Sequence, residues 1–209
     1  MSSHEPVVVE CLEGPAAARV AADVGVVYAE VFAEPPYGEA EDDFAAAARR
    51  FRSQTRRADF RIALARTVSG EPVGLAYGHP LDATTRWWDP LSAAVPAETR
   101  REDGRRSFGV LELAVRPPWR GRGVGRRLHD ALLEDCAAER AVLNVRCDVV
   151  AAQAAYRAWG YRSVGQVRPW EGAVLHDVML LGLTRPAHTP PPRPGEPGRG
   201  GKMQVRAVP

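Results

Sequence analysis

The sequence predicts a single domain of the α/β class. Runs rich in β-branched residues alternate with segments whose apolar residues recur at helical spacing. The length of 209 residues is sufficient for one sizeable core and short for two. Hydrophobic residues at 45% and charged residues at 26% are typical of a globular protein. We therefore expect one folded domain over residues 1–185.

The first half of the chain predicts a strand, two helices and a hairpin. Three valines form a short strand at residues 7–9, and apolar residues at helical spacing predict a helix over 16–32, which Pro35 and Pro36 end. A second helix is predicted over 41–51, and strands over 60–66 and 73–77 are joined by a glycine-containing turn. A long polar stretch from residue 80 to 106 then lacks periodicity, which makes it a candidate lid.

The second half of the chain predicts alternating strands and helices. Gly160 stands where a left-handed cap would end the last helix. The predicted strands are 108–115, 141–147, 161–167 and 174–183, and the predicted helices are 124–140 and 151–159. Residues 186–209 are rich in Pro and Gly and predict a disordered tail, because they offer too little apolar surface to offset the entropy of ordering.

Bulk properties exclude several functional classes. The net charge of +2 is too small to indicate a nucleic-acid or membrane partner by itself. Three cysteines without CxxC spacing argue against a disulfide framework and against a metal site. Residues 1–10 lack the order of a signal peptide, and no apolar run is long enough to span a bilayer. We expect a cytoplasmic protein.

A glycine-arginine turn lies between a predicted strand and a predicted amphipathic helix. Glycines allow the main chain to approach phosphate oxygens, and the unpaired N–H groups of a helix N-terminus bind anions. The segment comprises Arg120, Gly121, Arg122, Gly123, Val124, Gly125 and Arg126. A dinucleotide fingerprint would need glycine at position 126, and no Gly-Lys-Ser/Thr follows for a P-loop. The alternative is a surface turn whose arginines serve solubility.

The turn resembles the signature Gln/Arg-x-x-Gly-x-Gly/Ala of the GNAT superfamily of acyl-CoA-dependent N-acyltransferases, at Arg120, Gly123 and Gly125. Tyr156, followed by the Gly160-Tyr161 pair, is similar to the second family signature, although the Asn common seven residues before that Tyr is Val149 here. The order of elements is also similar from residue 7 to 183. The resemblance implies a mixed, mostly antiparallel central sheet of six to seven strands flanked by helices.

The resemblance also implies the ligands and their binding groups. Acetyl-CoA would be the co-substrate, with its pyrophosphate on the glycine turn and its pantetheine arm on backbone groups of Leu113, Ala114 and Val115. The acceptor would be a primary amine, either a small molecule or a protein amine, and the family allows a homodimer.

Two residues are candidates for proton transfer. In the family, the tyrosine that corresponds to Tyr156 lies near the coenzyme sulfur, where it would be the general acid. An acidic residue at the position of Glu112 resembles the acceptor-side carboxylate of several members and would be the base. Tyr156 also lies on an apolar helix stripe with Ala152 and Trp159, so it could be a core tyrosine. Glu112 alternates with Leu111 and Leu113, so we expect it to project from the opposite face of the strand, where it could instead be a solvent-facing or salt-bridged residue.

Three aromatic residues in loops are candidates for the acceptor pocket. By analogy with the family, Tyr37 and the pair Trp87 and Trp88 would flank the acceptor entrance. The alternative is that they pack over the sheet and anchor their loops.

Two other functional classes stay open at this point. A catalytically silent acyl-CoA sensor would keep the glycine turn without needing Tyr156. A nucleic-acid-binding module could use the arginine cluster that begins at Arg116 and ends at Arg127. Apart from Trp119, however, the sequence lacks the interleaved aromatic residues and the strong positive charge of such modules.

Overall fold

The computed structural model describes residues 5–57, 59–91 and 95–183. The strands are β1 Val7–Glu13, β2 Arg61–Thr67, β3 Pro72–Pro80, β4 Ser107–Val115, β5 Arg140–Arg146, β6 Arg162–Val167 and β7 His176–Gly182. The helices are α1 Gly14–Arg19, α2 Ala21–Phe32, α3 Glu41–Gln54, α4 Ala97–Arg100, α5 Val124–Leu133 and α6 Val150–Ala158. The predicted boundary at residue 185 and the predicted tail at 186–209 lie outside the described residues.

One mixed sheet organises the described chain. Its seven strands lie in the order β1-β2-β3-β4-β5-β7-β6, and every neighbouring pair is antiparallel except β4 and β5. Two parallel neighbours need a crossover connection, which α5 supplies between β4 and β5. The α/β fold class and the mostly antiparallel sheet of six to seven strands are confirmed.

Helices cover both faces of the sheet. Helices α1, α2 and α3 bury one core against the sheet, with Val27, Phe51 and Phe60 among its fully buried side chains. On the other face, Leu128 and Leu132 of α5 form a second core, against which side chains of α6 pack. The strand residues beneath these helices are buried on both faces, which explains the nearly continuous apolar runs of β2 and β3.

Several helix boundaries differ from the sequence prediction. The predicted helix 16–32 is two helices that meet at Val20, whose φ of −91° and ψ of 16° interrupt the helical ladder. The predicted helix 124–140 ends at Leu133, because Asp135 takes a left-handed φ of 55° and Arg140 already pairs with Ser107 in the sheet. The predicted left-handed cap at Gly160 is confirmed by its φ of 97°.

Helix α3 begins where its sequence predicts. The Asp43 carboxylate accepts a hydrogen bond from the backbone N–H of Ala40 at 3.0 Å, and three acidic residues occupy the first turn. Negative charge at a helix N-terminus is favourable because the first N–H groups have no helical acceptor. The loop from residue 33 to 40 leads into this start and brings Pro36 and Tyr37 into contact with Arg146 at the end of β5.

Candidate active site

The parallel strands β4 and β5 separate before they end. Their register contains Ser107 opposite Arg140, Phe108 opposite Ala141 and Gly109 opposite Val142, whereas β4 continues to Val115 and β5 to Arg146. Past Gly109, the edge of β4 that faces β5 therefore has backbone groups without a partner strand. Leu113, Ala114 and Val115 lie in this part of β4. Such an opening in a sheet can bind an extended ligand through main-chain hydrogen bonds.

A β-bulge in β4 lies beside this opening. Tyr77 pairs with Glu112 and Gly78 pairs with Val110, so Leu111 is the extra residue. A bulge breaks the alternation of side chains, and Leu111 packs with the core under α2 and α3 while Leu113 packs with the opposite core. Because cross-strand pairs share a face, Glu112 lies on the same face as Tyr77 and Leu111. The expectation that Glu112 projects opposite to both Leu111 and Leu113 was wrong, since it assumed a strand without a bulge.

The carboxyl group of Glu112 is half-buried among aromatic residues. Burial raises the pKa of Glu112 to about 8; the Glu39 carboxylate acts in the same direction and Arg50 opposes it. The negative charge of the ionised Glu112 raises the pKa of four tyrosine hydroxyls, those of Tyr28, Tyr37, Tyr77 and Tyr156. A carboxyl group with this pKa exchanges protons near neutral pH, as a general base requires.

Tyr156 of α6 lies across the opening from α2 and α3. Burial raises the pKa of the Tyr156 hydroxyl well above its ordinary value, and Glu112 and Tyr37 raise it further. The ring contacts Trp159 and Tyr161 edge-on, with centroid distances of 5.4 Å and 5.6 Å. The hydroxyl therefore stays protonated at neutral pH and can act as a proton donor.

Tyr37 closes the cleft from the loop between α2 and α3. The guanidinium of Arg146 lies 5.0 Å from the centroid of its ring, and Phe32 packs against it edge-on at 4.7 Å. Since Arg146 ends β5, this contact connects the loop to the strand that diverges from β4. The structure thus brings Tyr37, Glu112 and Tyr156 together from three separate parts of the chain.

The glycine turn leads directly into the N-terminus of α5. Gly121 and Gly123 have φ values of 71° and 77°, a conformation that side chains other than glycine rarely adopt. A Cβ atom at either position would meet no atom within 4 Å, so both glycines border open space. The first N–H groups of the helix, from Val124 to Arg126, have no helical acceptor. The turn therefore fits an anion by its geometry.

Arginine side chains around the turn bind protein groups. Arg120 donates to the Val115 carbonyl at 2.9 Å and pairs with Glu34 at 3.0 Å. Arg126 pairs with Asp130 at 2.8 Å. Arg122 lies 5.9 Å from the centroid of the Trp119 ring and is exposed. Main-chain N–H groups are thus the first candidates for phosphate contacts, and Arg120 fastens the turn to β4.

The structure places the two tryptophans away from the other candidate residues. Trp88 is only 4% exposed, and its Nε1 donates to the buried Glu102 carboxylate at 3.0 Å. Arg140 lies 5.5 Å from the centroid of the Trp88 ring. Trp87 packs against the same small core, which is centred on Leu81, Val142, Val167 and Val178. This placement favours loop anchoring over an acceptor wall, because both tryptophans pack in this small core, whereas Glu112 pairs with Tyr77 of the core under α2 and α3.

Sequence reasoning missed three residues of the cleft. Tyr28 and Tyr77 face Glu112 from α2 and β3, and Glu39 stands two residues after Tyr37. Tyr28 and Tyr77 also line an apolar cavity of about 30 Å³ between α2 and α3. Tyr77 was in principle detectable, since pairing of the hairpin with the next strand places it opposite Glu112. Nothing in the sequence indicated Tyr28, which has the spacing of an ordinary core residue.

Together, the diverging parallel strands, the glycine turn and the buried carboxyl group define an acyl-CoA-dependent N-acyltransferase site. The family model described as the Acetyltransferase (GNAT) family matches residues 26–161. The chain therefore belongs to the GNAT family of N-acetyltransferases, enzymes whose acyl donor is acetyl-CoA.

Solved structures of low sequence identity share this fold. The ribosomal-protein-S18-alanine N-acetyltransferase of Escherichia coli is 15% identical, with a TM-score of 0.58 over 88% of this chain and 98% of that one. The PaiA N-acetyltransferase of Thermoplasma acidophilum, in complex with coenzyme A, is 11% identical, with a TM-score of 0.57 over 85% and 99%. A GNAT acetyltransferase of Streptococcus pneumoniae is 14% identical, with a TM-score of 0.59 over 85% and 100%.

A curated relative matches only a short segment. An uncharacterized protein of Mycobacterium leprae is 44% identical over 62 residues, which is 30% of this chain and 17% of the relative. The chain thus spans about 17% of the length of that protein. Separately, among the described residues no helix is both long and apolar enough to cross a membrane.

Proposed function

We propose that this protein transfers an acetyl group from acetyl-CoA to a primary amine by direct attack, with Glu112 as the base and Tyr156 as the general acid. One observation carries the proposal. The half-buried Glu112 carboxyl group lies at the bulge where β4 separates from β5, and Tyr156 approaches the same opening from α6. An amine and a thioester that met in this opening would have a proton acceptor on one side and a proton donor on the other.

The donor would be held mainly by main-chain groups. The N–H groups from Gly121 to Arg126 would bind its pyrophosphate, because they lie at a helix N-terminus, where the first N–H groups have no helical acceptor. Backbone groups of Leu113, Ala114 and Val115 would bind its pantetheine arm along the free edge of β4. The thioester supplies an activated acetyl group, and β4 N–H donors beside it would stabilise the negative charge that develops on the carbonyl oxygen.

Glu112 would accept the proton that the amine must lose. An alkyl ammonium has a pKa of about 10.4, so it is mostly protonated at neutral pH and cannot attack. A carboxylate whose pKa is raised to about 8 is a stronger base toward this ammonium than an ordinary glutamate. Glu112 would take one proton from the ammonium before attack, so that the neutral amine can form the nitrogen–carbon bond. The second proton that nitrogen loses as the amide forms would pass to solvent.

Tyr156 would protonate the leaving sulfur. When the carbon–sulfur bond breaks, the electron pair stays on sulfur. The Tyr156 hydroxyl, which approaches the opening from α6, holds a proton at neutral pH that it can donate. Proton transfer to the thiolate leaves coenzyme A as a free thiol. Glu112 then releases its proton to solvent, and the Tyr156 phenolate takes up a proton from solvent.

The state of the cysteines supports a cytoplasmic location for this reaction. Cys11, Cys136 and Cys147 are free thiols, which supports a reducing compartment such as the cytoplasm.

The glycine turn supports an acyl-CoA reaction over the binding of nucleic acid. A nucleic-acid-binding module would use the arginine side chains of this segment, which are largely engaged with protein groups.

A thiol-release assay with acetyl-CoA and a panel of amines tests the proposal. We expect thiol to appear in the presence of an amine, together with an N-acetylated product that carries the mass of one acetyl group. Release of thiol without an acetylated amine would indicate hydrolysis. Thermal stabilisation by acetyl-CoA without any turnover would indicate a silent acyl-CoA sensor and would contradict the proposal.

A further inference from the structure

A polar cavity of about 260 Å³ lies at the end of β3. Its lining comes from the loop after α3, the end of β3 and the two ends of the polar stretch from residue 80 to 106: Arg57, Asp59, His79, Pro80, Asp82 and Gly104. None of these residues belongs to the proposed acetyl-transfer site. His79 pairs with Gly109 of β4, whereas Glu112 pairs with Tyr77. The polar stretch that the sequence predicts as a candidate lid thus forms part of a second concave surface.

Backbone hydrogen bonds hold the two ends of this polar stretch together. The N–H of Leu81 donates to the Ser107 carbonyl at 2.8 Å, and the N–H of Gly104 donates to the Leu81 carbonyl at 3.0 Å. Asp82 closes a local turn by accepting a hydrogen bond from the Thr84 N–H at 2.9 Å. The wall of the cavity is therefore already fixed, which lowers the entropic cost of binding a ligand.

His79 offers a hydrogen-bond acceptor to the cavity. The residue is only 8% exposed, and its Nδ1 atom lies 2.7 Å from the Pro80 carbonyl. Because a carbonyl oxygen only accepts, Nδ1 carries the proton, and Nε2 of the neutral ring keeps its lone pair. Burial lowers the pKa of His79, which keeps the ring neutral near pH 7. Nε2 retains accessible surface, and the described structure contains no hydrogen bond to it.

The charged residues of the lining leave one carboxylate without a partner. Arg57 and Asp82 form an ion pair at 2.6 Å, so their charges offset each other. Asp59 is exposed, and within the described part of the chain its carboxylate takes part in no hydrogen bond or ion pair. The lining therefore combines a net negative charge with a neutral imidazole acceptor, and it favours a cation that carries N–H donors. A guanidinium group meets both requirements, because its planar N–H groups can donate to a carboxylate and to an imidazole nitrogen at the same time.

We infer that this cavity is a binding site for a guanidinium group, with Asp59 as its counter-ion and Nε2 of His79 as its second acceptor. Free guanidine compounds and the arginine side chains of peptides both carry this group. The inference does not depend on acetyl transfer, because no residue of the cavity takes part in the proposed reaction. A guanidinium also stays protonated at neutral pH, so it is not an acceptor amine.

Titration with three small probes tests the inference. Methylguanidinium carries the charge, N-methylurea is its neutral counterpart of nearly the same shape, and inorganic phosphate is an anion. Binding is followed by the ¹⁵N NMR resonance of His79 Nε2, which changes when that atom accepts a hydrogen bond. We expect methylguanidinium to bind about tenfold or more tightly than N-methylurea, as for one charge-assisted hydrogen bond. Equal affinities of these two probes, or a response to phosphate alone, would overturn the inference.

The variant Asp59→Asn should weaken the binding of methylguanidinium about tenfold. Its melting temperature without ligand should match that of the wild type, because Asp59 is exposed. Asp42→Asn is the matched control, since Asp42 is an exposed carboxylate in the first turn of α3 and does not line the cavity. Glu112→Gln should also keep the full affinity, which would exclude the acetyl-transfer cleft as the place of binding. Unchanged affinity in Asp59→Asn, or a loss of affinity in Glu112→Gln alone, overturns the inference.

A peptide probe distinguishes the two sources of the guanidinium group. The tripeptide Ala-Arg-Ala, acetylated at its N-terminus and amidated at its C-terminus, carries a guanidinium and no amine that could be acetylated. If this peptide changes the His79 resonance with an affinity at least equal to that of methylguanidinium, the site accepts an arginine side chain. A response to methylguanidinium alone supports a free guanidine compound as the ligand. If neither probe changes the resonance, the cavity is not a guanidinium site.

Discussion

Tyr77 and Glu112 lie directly opposite each other across β3 and β4, next to the bulge at Leu111. This pairing turns Glu112 toward α2 and α3 and places its half-buried carboxyl group near tyrosine hydroxyls. Burial then raises the pKa of Glu112 to about 8. A strand irregularity of one residue thus accounts for both the direction and the protonation behaviour of the proposed base.

The raised pKa of Glu112 predicts a pH-dependent stability difference for Glu112→Gln. Between the ordinary pKa of 4.5 and about 8, the folded protein keeps a proton that the unfolded chain releases, so wild-type stability falls as the pH rises through this window. Glutamine has no such dependence. The variant should be the more stable protein at about pH 9, and the difference in free energy of unfolding should vanish near pH 4 to 5. Between these limits it should grow by at most ~1.4 kcal/mol for each pH unit.

Urea unfolding at several pH values measures this difference. Glu171→Gln, which removes an exposed carboxylate in the loop after β6, should show no comparable trend. A Glu112→Gln protein that is less stable than the wild type at high pH would show that the carboxylate is stabilised in its charged form. That result would remove the physical basis for its role as a base.

Tyr156→Phe should separate coenzyme binding from turnover. Loss of the hydroxyl removes the proposed proton donor and leaves the ring contacts with Trp159 and Tyr161 in place. We expect kcat to fall about a hundredfold, with the Kd for coenzyme A changed by less than about twofold. Steady-state kinetics and calorimetric titration measure the two quantities.

Tyr161→Phe is the control for this comparison. The hydroxyl of Tyr161 shares a 2.9 Å hydrogen bond with His129 Nε2 in the core, so its loss should lower stability and leave kcat largely intact. If Tyr156→Phe kept full activity, or if both variants lost activity equally, Tyr156 would not be the general acid.

Gly123→Ala should weaken coenzyme binding through the backbone. Alanine at a φ of 77° costs about 1 kcal/mol, and relaxation of the turn would shift the N–H groups that begin α5. Gly172→Ala is a matched control, since Gly172 has a φ of 79° and equally open surroundings in a loop beyond β6. Both variants should lose similar stability in thermal unfolding, but only Gly123→Ala should raise the Kd for coenzyme A. Equal affinities would argue against the glycine turn as the pyrophosphate site.

Substitution of the two tryptophans should have different effects on stability. Trp88→Phe removes a buried N–H that donates to Glu102, and we expect a loss of about 1 to 2 kcal/mol in the free energy of unfolding. Trp87→Phe removes a buried Nε1 for which the described structure offers no hydrogen-bond acceptor, so it should be nearly neutral. Denaturant titration measures both. A raised KM for the amine in either variant would instead support an acceptor wall at these residues.

Local patterns in the chain were sufficient for much of the fold. Helical spacing of apolar residues located α2, α3, α5 and α6, and β-branched runs located the strands, because these patterns depend on the period of each element. The end of α5 was predicted seven residues too late, since the apolar stripe continues to Cys136 although the backbone turns at Asp135. Helical spacing could not predict this end, because the pairing of Arg140 with Ser107 depends on a strand that is distant in the sequence.

The glycine turn was likewise visible in the sequence, because left-handed glycines and a helix N-terminus leave a short, contiguous signature. The cleft was not. Its members Tyr28, Tyr37, Glu39, Tyr77, Glu112 and Tyr156 come from distant segments, and the tertiary fold alone brings them together. The direction of Glu112 depends on a bulge that only pairing with β3 reveals, and its pKa depends on burial by helices far away in the sequence. Residue types and their spacing thus specify the elements and the anion-binding turn, whereas long-range packing sets the electrostatic environment in which the chemistry occurs.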